Sequence, residues 1–224
     1  EEEARLAVLG CHILLEPGDG PALIFDIGGG STELVLVDSS GPVPDILDWK
    51  SVPWGVVTLT ESERFDPDDP AERAAAYARM RHRVMEGFAD FAARLPDLPN
   101  AERRLLGTSG TVTTLASLHL DLPCYNRDAI DGLIVPSESM RSISTRLAEM
   151  SLQQRRELPC IGKERADLVV AGCAILESIL DIWPAVRLGV ADRGIREGIL
   201  RALMGRDAPH PTPGLTSSKQ EHRA

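Results

Sequence analysis

The pattern of apolar and polar positions divides the chain into alternating helices and strands. Residues 1–12 read as a helix with Leu6, Leu9 and Ile13 on one side, ended by the turn-rich Glu16-Pro17-Gly18-Asp19-Gly20-Pro21. A compact apolar strand, Ala22-Leu23-Ile24-Phe25, enters Asp26-Ile27-Gly28-Gly29-Gly30-Ser31-Thr32-Glu33, and a second strand over Leu34–Val37 follows at once. Residues 38–44 read as loop, and a third extended stretch runs from about Ile46 to Pro53. Between Pro70 and Leu95 the residues Tyr77, Met80, Val84, Phe88, Phe91 and Leu95 step by three and four, which predicts a long helix with one buried stripe. A short strand at Arg104-Leu105-Leu106 then opens into a small-residue loop, with a helix predicted from Val112 to Leu118. Further helices are predicted over 137–150, with Ser137 as N-cap, over 152–157 and over 165–181. A last strand over 186–190 leads into a helix over 194–203. Residues 205–224, rich in Pro, Ser, Thr, His and charge, read as a disordered tail.

Composition narrows the class. The 224 residues suffice for one substantial domain, or one large domain with part of another. The 43% hydrophobic and 26% charged residues are the balance of a soluble globular protein. No apolar run approaches the ~20 residues of a membrane span, and nothing reads as a secretory leader. A net charge of −10 argues against a general nucleic-acid binder, which shows a basic face. A phosphate-rich ligand stays admissible where backbone amides and a divalent cation hold it locally, although long-range steering would not help it arrive. Cys11, Cys124, Cys160 and Cys173 form no C-x-x-C pair and read as buried thiols of a cytoplasmic protein. The scattered histidines indicate no zinc site. The chain opens at Glu1 inside a charged helical pattern, and so reads as a fragment, a processed product or an incomplete gene model.

Two segments carry candidate chemistry. In Asp26–Glu33, three consecutive glycines leave peptide N–H groups uncovered, so the turn can wrap an anion, and Ser31 and Thr32 add hydroxyls. Asp26 and Glu33 supply two carboxylates suited to a Mg²⁺ that keeps most of its water and bridges to phosphate oxygens. A plain glycine-rich hairpin with solvated acids is the alternative. Against it, an Asp directly after four apolar strand residues is costly to place without a use. The turn leads into a strand rather than a helix, which separates it from dinucleotide and P-loop fingerprints and fits the phosphate hairpin of actin/hexokinase-like folds. The second segment, Gly107-Thr108-Ser109-Gly110-Thr111, follows a strand and opens a helix, offering free amides at a helix N-terminus. Alone it is ordinary capping composition; facing the hairpin it would complete a cleft.

Six blocks in order make the chain resemble the Ppx/GppA family of exopolyphosphatases and guanosine pentaphosphate phosphatases. They are Glu2-Glu3-Ala4-Arg5-Leu6; Asp26–Leu34; Val52-Pro53-Trp54-Gly55 through Leu59-Thr60-Glu61; Gly107–Leu115; Arg165-Ala166-Asp167 with Gly172–Leu176; and Gly194-Ile195-Arg196-Glu197-Gly198. The resemblance implies an α/β, actin/hexokinase-like (ribonuclease H-like) fold with a mixed sheet flanked by helices. Residues 1–16 would end an N-terminal lobe and hinge, 17–204 would form the C-terminal lobe, and 205–224 the tail. It implies release of terminal phosphate from polyphosphate or guanosine pentaphosphate, with Glu3 positioning or deprotonating the attacking water. Asp26 and Glu33, with Glu3 beside them, would hold Mg²⁺, and Gly28–Thr32 and Gly107–Thr111 would bind phosphates. Arg165 would face the polyanion or, equally, pair with Glu164 or Asp167. Arg196 and Glu197 would be structural. No membrane partner is implied, and a homodimer is compatible. The family's first phosphate hairpin, similar to D-I-G-S-N-S, has no counterpart in the 224 residues. A sugar- or acetate-type kinase of the same superfamily would lack the E-E-A-R block. A nucleotide or polyphosphate sensor, or an inactive remnant, is the non-enzyme alternative.

Overall fold

The run from Ala22 to Phe25 is the centre of β1 (Pro21–Ile27), which pairs antiparallel with β2 (Thr32–Asp38); β2 pairs antiparallel with β3 (Asp45–Val52). On its other side β1 runs parallel to β4 (Arg104–Thr108), and β4 runs parallel to β6 (Arg187–Ala191). A short antiparallel strand, β5 (Ile134–Pro136), closes that edge, so the order across the mixed sheet is β3-β2-β1-β4-β6-β5. The computed structural model describes residues 2–18, 20–41, 43–162 and 164–207, and the side chains of Glu3, Ala101 and residues 205–207 fall outside that description.

The helices are α1 (Glu2–Cys11), α2 (Val56–Glu61), α3 (Pro70–Ala92), α4 (Gly110–His119), α5 (Arg127–Ile130), α6 (Ser137–Glu149), α7 (Leu152–Arg156), α8 (Val169–Ile182) and α9 (Ile195–Asp207). Side chains alternate across a strand, and β1 divides its residues accordingly. Leu23, Phe25 and Ile27 join the larger core with the stripe Met80, Val84, Phe88 and Phe91 of α3 and with α4, α6 and the almost wholly buried α8. Each fully buried Phe or Leu there contributes about 1.5–3 kcal/mol. Ala22 and Ile24 face the other way, under Ala4, Val8 and Cys11 of α1. Two glycines let α9 lie against α1 at backbone distance. A Cβ on Gly10 would sit 2.0 Å from the Gly194 carbonyl oxygen, and one on Gly198 would sit 1.9 Å from that of Leu6. None of the helices among the described residues is long and apolar enough to cross a membrane.

Several boundaries differ from the sequence reading. The helix expected over 165–181 begins only at Val169, with 164–168 in a turn. The cause is the buried Arg155, whose Nε donates to the Ala166 carbonyl at 2.7 Å and whose Nη1 donates to the Leu147 and Met150 carbonyls. These bonds take the Ala166 carbonyl out of a helical ladder. Ser137 is not the N-cap of α6 but its first residue, after Pro136, and its buried hydroxyl has no hydrogen-bond partner among the described residues. The helix expected to end at Leu203 continues as α9 to Asp207, so the first residues read as tail are helical, and 208–224 lie outside the described residues. All four cysteines are free. Cys11 and Cys173 are buried as expected, Cys160 is half-buried, and Cys124 is exposed because it lies in the loop after α4.

The α1–α9 contact gives a direct stability test. Gly198→Ala forces the helices apart and is expected to cost about 3 kcal/mol in urea unfolding, the upper range for overpacking. Gly162→Ala, where a Cβ would meet nothing within 4 Å, should leave the unfolding midpoint close to the parent value.

Candidate active site

Three parallel strands end at one edge of the sheet. Asp26 of β1 stands in register with Thr108 of β4, and Thr108 with Ala191 of β6. The turns that follow, at 28–31, 109–110 and 192–194, therefore meet outside the carboxyl ends of neighbouring strands, where open α/β sheets bind ligands. Gly194 lies against Asp26 and Thr108: a Cβ there would be 3.3 Å from Thr108 Oγ1 and 3.9 Å from Asp26 Oδ2.

The glycine turn is held by its carbonyls. Val56 N donates to Gly28 O at 2.9 Å, and Val57 N and Thr58 N donate to Gly29 O at 2.9 and 3.3 Å, so the N-terminus of α2 caps the turn. Thr58 Oγ1 adds a bond to Gly30 O at 3.2 Å. The approach is possible because residue 55 is glycine, whose Cβ would otherwise lie 2.4 Å from the Gly29 carbonyl. Within the turn, Gly28 N donates to Ser31 O at 2.9 Å. The N–H groups of Gly29 and Gly30 meet no protein acceptor among the described residues, and both glycines are exposed. Carbonyls tied back and amides left outward make an anion-binding concavity.

The second turn caps α4. Ser109 Oγ accepts from Val112 N and Ser109 O from Thr113 N, each at 3.1 Å, while the Gly110 and Thr111 N–H groups meet no protein acceptor among the described residues. The third turn is pinned from both sides. Thr108 Oγ1 donates to Arg193 O at 2.8 Å, and Asp131 accepts from Asp192 N at 3.0 Å and from Arg193 Nε at 2.6 Å. Glu197 Oε2 accepts from Gly194 N at 2.9 Å. Arg127 ties α5 to this turn through the Asp192 carbonyl at 2.7 Å and the Asp192 carboxylate at 3.1 Å. The Tyr125 hydroxyl donates to Asp192; burial first, and then that carboxylate, push the phenol up to about 12, so it stays a proton donor.

Two cavities open beside these turns. A cleft of about 710 Å³ is lined by Asp26, Thr108, Ser109, Gly110, Arg193 and Gly194 at the turns, and by Tyr125, Arg127 and Arg196. A smaller, more apolar cavity of about 240 Å³ is lined by Gly28, Gly29, Val56, Ile161, Leu168 and Val169. Gly110 and Arg165 line both. The Arg165 guanidinium lies over Gly110, where a Cβ would be 3.1 Å from Nη1. Among the described residues it forms no ion pair with Glu164, Asp167 or any other carboxylate.

The other expected residues divide by placement. Glu33 is Asp26's cross-strand partner, but its buried carboxylate accepts from Ser31 Oγ at 2.6 Å and Ser51 Oγ at 2.9 Å, and among the described residues it lines neither cavity. Thr32 is fully buried and its hydroxyl donates to Trp54 O at 2.7 Å. Gly107 packs under the Phe25 ring, where a Cβ would meet Cζ at 2.4 Å. Thr111 lines the smaller cavity while packing tightly on Gly172. Glu3 lies in α1, and its side chain is outside the described residues. No group of three or more His, Cys, Asp or Glu forms a metal site among the described residues. A Mg²⁺ needs only one or two carboxylates beside phosphate and water; Asp26 lines the cleft, and Glu33 stands opposite it on the neighbouring strand with its Oε1 engaged by Ser31 and Ser51.

Sequence reasoning missed Tyr125, Arg127, Asp192 and Arg193. The run Val190-Ala191-Asp192-Arg193-Gly194 repeats the strand–turn–helix order of Gly107–Gly110 and could have been read the same way. Tyr125 and Arg127 carry no local signal, because only the fold brings them to the cleft. Glu197 caps its helix through Gly194 N, and both it and Arg196 line the cleft.

Comparison with known proteins agrees with this architecture. The Ppx/GppA phosphatase family model matches residues 1–207. Exopolyphosphatase 2 of Mycobacterium tuberculosis is 30% identical over 209 residues, covering 91% of this chain and 62% of the relative. A putative exopolyphosphatase of Haemophilus influenzae is 27% identical over 208 residues, covering 91% and 58%. The crystal structure of the Aquifex aeolicus Ppx/GppA family member superposes with a TM-score of 0.75 at 26% identity, covering 94% of this chain and 64% of that one. The chain thus spans about three-fifths of the length of the curated relatives it matches.

Arg165 offers the cleanest test of the site. It is exposed and unpaired among the described residues, so Arg165→Ala should leave the melting temperature unchanged. Its affinity for tripolyphosphate, measured by calorimetry, should fall roughly tenfold, the worth of one charge-assisted hydrogen bond.

Proposed function

The chain belongs to the Ppx/GppA phosphatase family, and from that premise we propose that it hydrolyses phosphoanhydrides, releasing terminal orthophosphate from polyphosphate or guanosine pentaphosphate. The observation that carries this reading is that Asp26 lines the large cleft with the Thr108–Gly110 turn, while Gly28 and Gly29 line the smaller cavity that shares Gly110 and Arg165 with it. In-line attack of water on a phosphoanhydride asks the protein mainly for alignment and charge neutralisation. Backbone amides of Gly29, Gly30 and the first turn of α4 supply fixed donors to the phosphate oxygens. The Arg165 guanidinium, touching both cavities, adds a cation to the same group. Ser31 and Ser51 hold the Glu33 carboxylate on the neighbouring strand, opposite Asp26. A Mg²⁺ bound by Asp26 and Glu33 would neutralise charge on the phosphates. Glu3, by its place in the Glu-Glu-Ala-Arg block, takes the role of orienting or deprotonating the attacking water.

Relatives named as exopolyphosphatases favour polyphosphate. The smaller cavity, with Ile27, Val56, Ile161 and Leu168 in its lining, favours guanosine pentaphosphate as a second reading, because a base needs apolar walls. A sensor without turnover would bind either ligand and release nothing.

The test is phosphate release from each substrate with Mg²⁺, with Asp26→Asn as the blank. Release that falls at least about a hundredfold in Asp26→Asn and about as far in Glu33→Gln, with unchanged melting temperatures, is the expected result. Tight binding with no release above the blank would replace the hydrolase by a sensor.

A further inference from the structure

Cys124 and Cys160 lie in separate segments and line neither cavity, but the fold brings those segments together. Cys160 Sγ donates to the Leu122 carbonyl at 2.8 Å, and Cys124 follows two residues later. Two residues of chain span at most ~7 Å between Cα atoms, and a disulfide bridges Cα atoms ~4.4–6.8 Å apart. The contact has one fixed side and one loose side. At the end of α4, Asp121 takes φ 51°, in the left-handed region, and Leu122 N donates to Ser117 O at 3.0 Å, which fixes the Leu122 end. Beyond it, Pro123 has no N–H, and the N–H groups of Cys124 and Tyr125 meet no backbone acceptor among the described residues. The exposed Cys124 side chain can therefore swing without breaking a ladder. Cys160 is half-buried beside Ser117; burial first, and then the nearby Cys124 and Asp121, push its thiol up. That leaves Cys124 as the thiol a dissolved oxidant meets first.

We propose that Cys124 and Cys160 are a peroxide-sensitive thiol pair that closes to an intramolecular disulfide. The Cys124 thiolate attacks one oxygen of hydrogen peroxide; the S–O bond forms, the O–O bond breaks, and the departing hydroxide takes up the thiol's proton as water. The Cys160 sulfur then attacks the sulfenic sulfur; the S–S bond forms, the S–O bond breaks, and the hydroxide leaves with the Cys160 proton as a second water. Two thiols lose two electrons and two protons, and one peroxide becomes two waters. A small dithiol restores both thiols by exchange and is itself oxidised to a disulfide. The bond would tie together two walls of the site. Cys124 adjoins Tyr125 of the large cleft, and Cys160 adjoins Ile161 of the smaller cavity. Arg165, which lines both, is held to the second segment through its N–H to Gly162 O at 2.8 Å. Cys11 and Cys173 are internal controls: both are buried, and burial pushes each up to about 12.

The whole chain is treated with a few equivalents of hydrogen peroxide, and its unreduced peptides are mapped by mass spectrometry after unfolding and alkylation. A linked Cys124–Cys160 peptide pair should appear and vanish with dithiothreitol, while Cys11 and Cys173 are recovered as alkylated thiols. Closing the loop between 124 and 160 should raise the melting temperature by roughly 5–10 °C. Cys124→Ser, at an exposed position, should show neither the link nor the shift. In Cys160→Ser the sulfenic acid on Cys124 has no partner, so dimedone should capture it there well above the parent. If that variant does not fold, the parent and Cys124→Ser maps decide. Links only between chains, equal dimedone capture in parent and Cys160→Ser, or Cys124 carried to sulfinic acid without a link would each overturn the pair. A linked chain that melts lower than the reduced one would also overturn it, because the bond would then form only by distorting the fold.

Discussion

Parallel pairing of β1, β4 and β6 is the constraint from which the rest of the site follows. With Asp26, Thr108 and Ala191 in register, the three following turns have no choice but to emerge side by side. That crowding explains residues with no chemistry of their own. Gly107 leaves room for the Phe25 ring, and Gly194 keeps a side chain away from the Asp26 carboxylate. The same register puts Asp26 on the face of β1 that carries Ala22 and Ile24, towards α1. The helix bearing Glu3 therefore packs over the strand bearing Asp26, and the close α1–α9 contact, glycine against backbone, links it to the helix that follows the third turn.

The direction in which the glycine turn presents its polar groups is set outside the turn. Three glycines alone could point either carbonyls or amides at a ligand. The amides of Val56, Val57 and Thr58 claim the carbonyls of Gly28 and Gly29, so the turn leaves N–H groups free, an arrangement suited to an anion rather than a cation. Backbone dipoles are a suitable device in a protein of net charge −10. They bring no side-chain entropy to lose and do not depend on the long-range field. Guanidinium groups add charge inside the cleft, where carboxylates fix the geometry of Arg127 and Arg193.

What could be read from the sequence was whatever is local. The hairpin from Asp26 to Glu33, the stripe of α3 and the strand–turn–helix at Gly107 each lie within a continuous segment and appear there, although α3 ends at Ala92, before Leu95, and α4 begins at Gly110 rather than Val112. The short elements α2, α5 and β5 escaped because four to six residues cannot show a period, or in β5 because three cannot. The outer cleft escaped for a different reason. Tyr125 and Arg127 come from one segment, Arg165 and Arg196 from two others, and although Arg165 was legible through the family resemblance, nothing in any one segment announces the others. Thr32 illustrates the limit within a motif: residue type suggested a phosphate donor, whereas strand alternation turns its hydroxyl to Trp54 O on the core side.

Arg155 shows how a core residue can shape the site without reaching it. A buried guanidinium without a carboxylate is costly; burial, and then the nearby Arg73, lower its pKa from the usual arginine value. The cost is offset because the Leu147, Met150 and Ala166 carbonyls would otherwise be buried without donors. A lysine, with its donors on one nitrogen at the end of a flexible stem, could not bond three carbonyls spread around a planar fork. An apolar residue would leave all three unpaired. The consequence reaches the surface one residue away. By drawing Ala166 out of the helical ladder, Arg155 keeps 164–168 as a turn, and the turn, rather than a helix start, is what lays the Arg165 guanidinium over Gly110 between the two cavities.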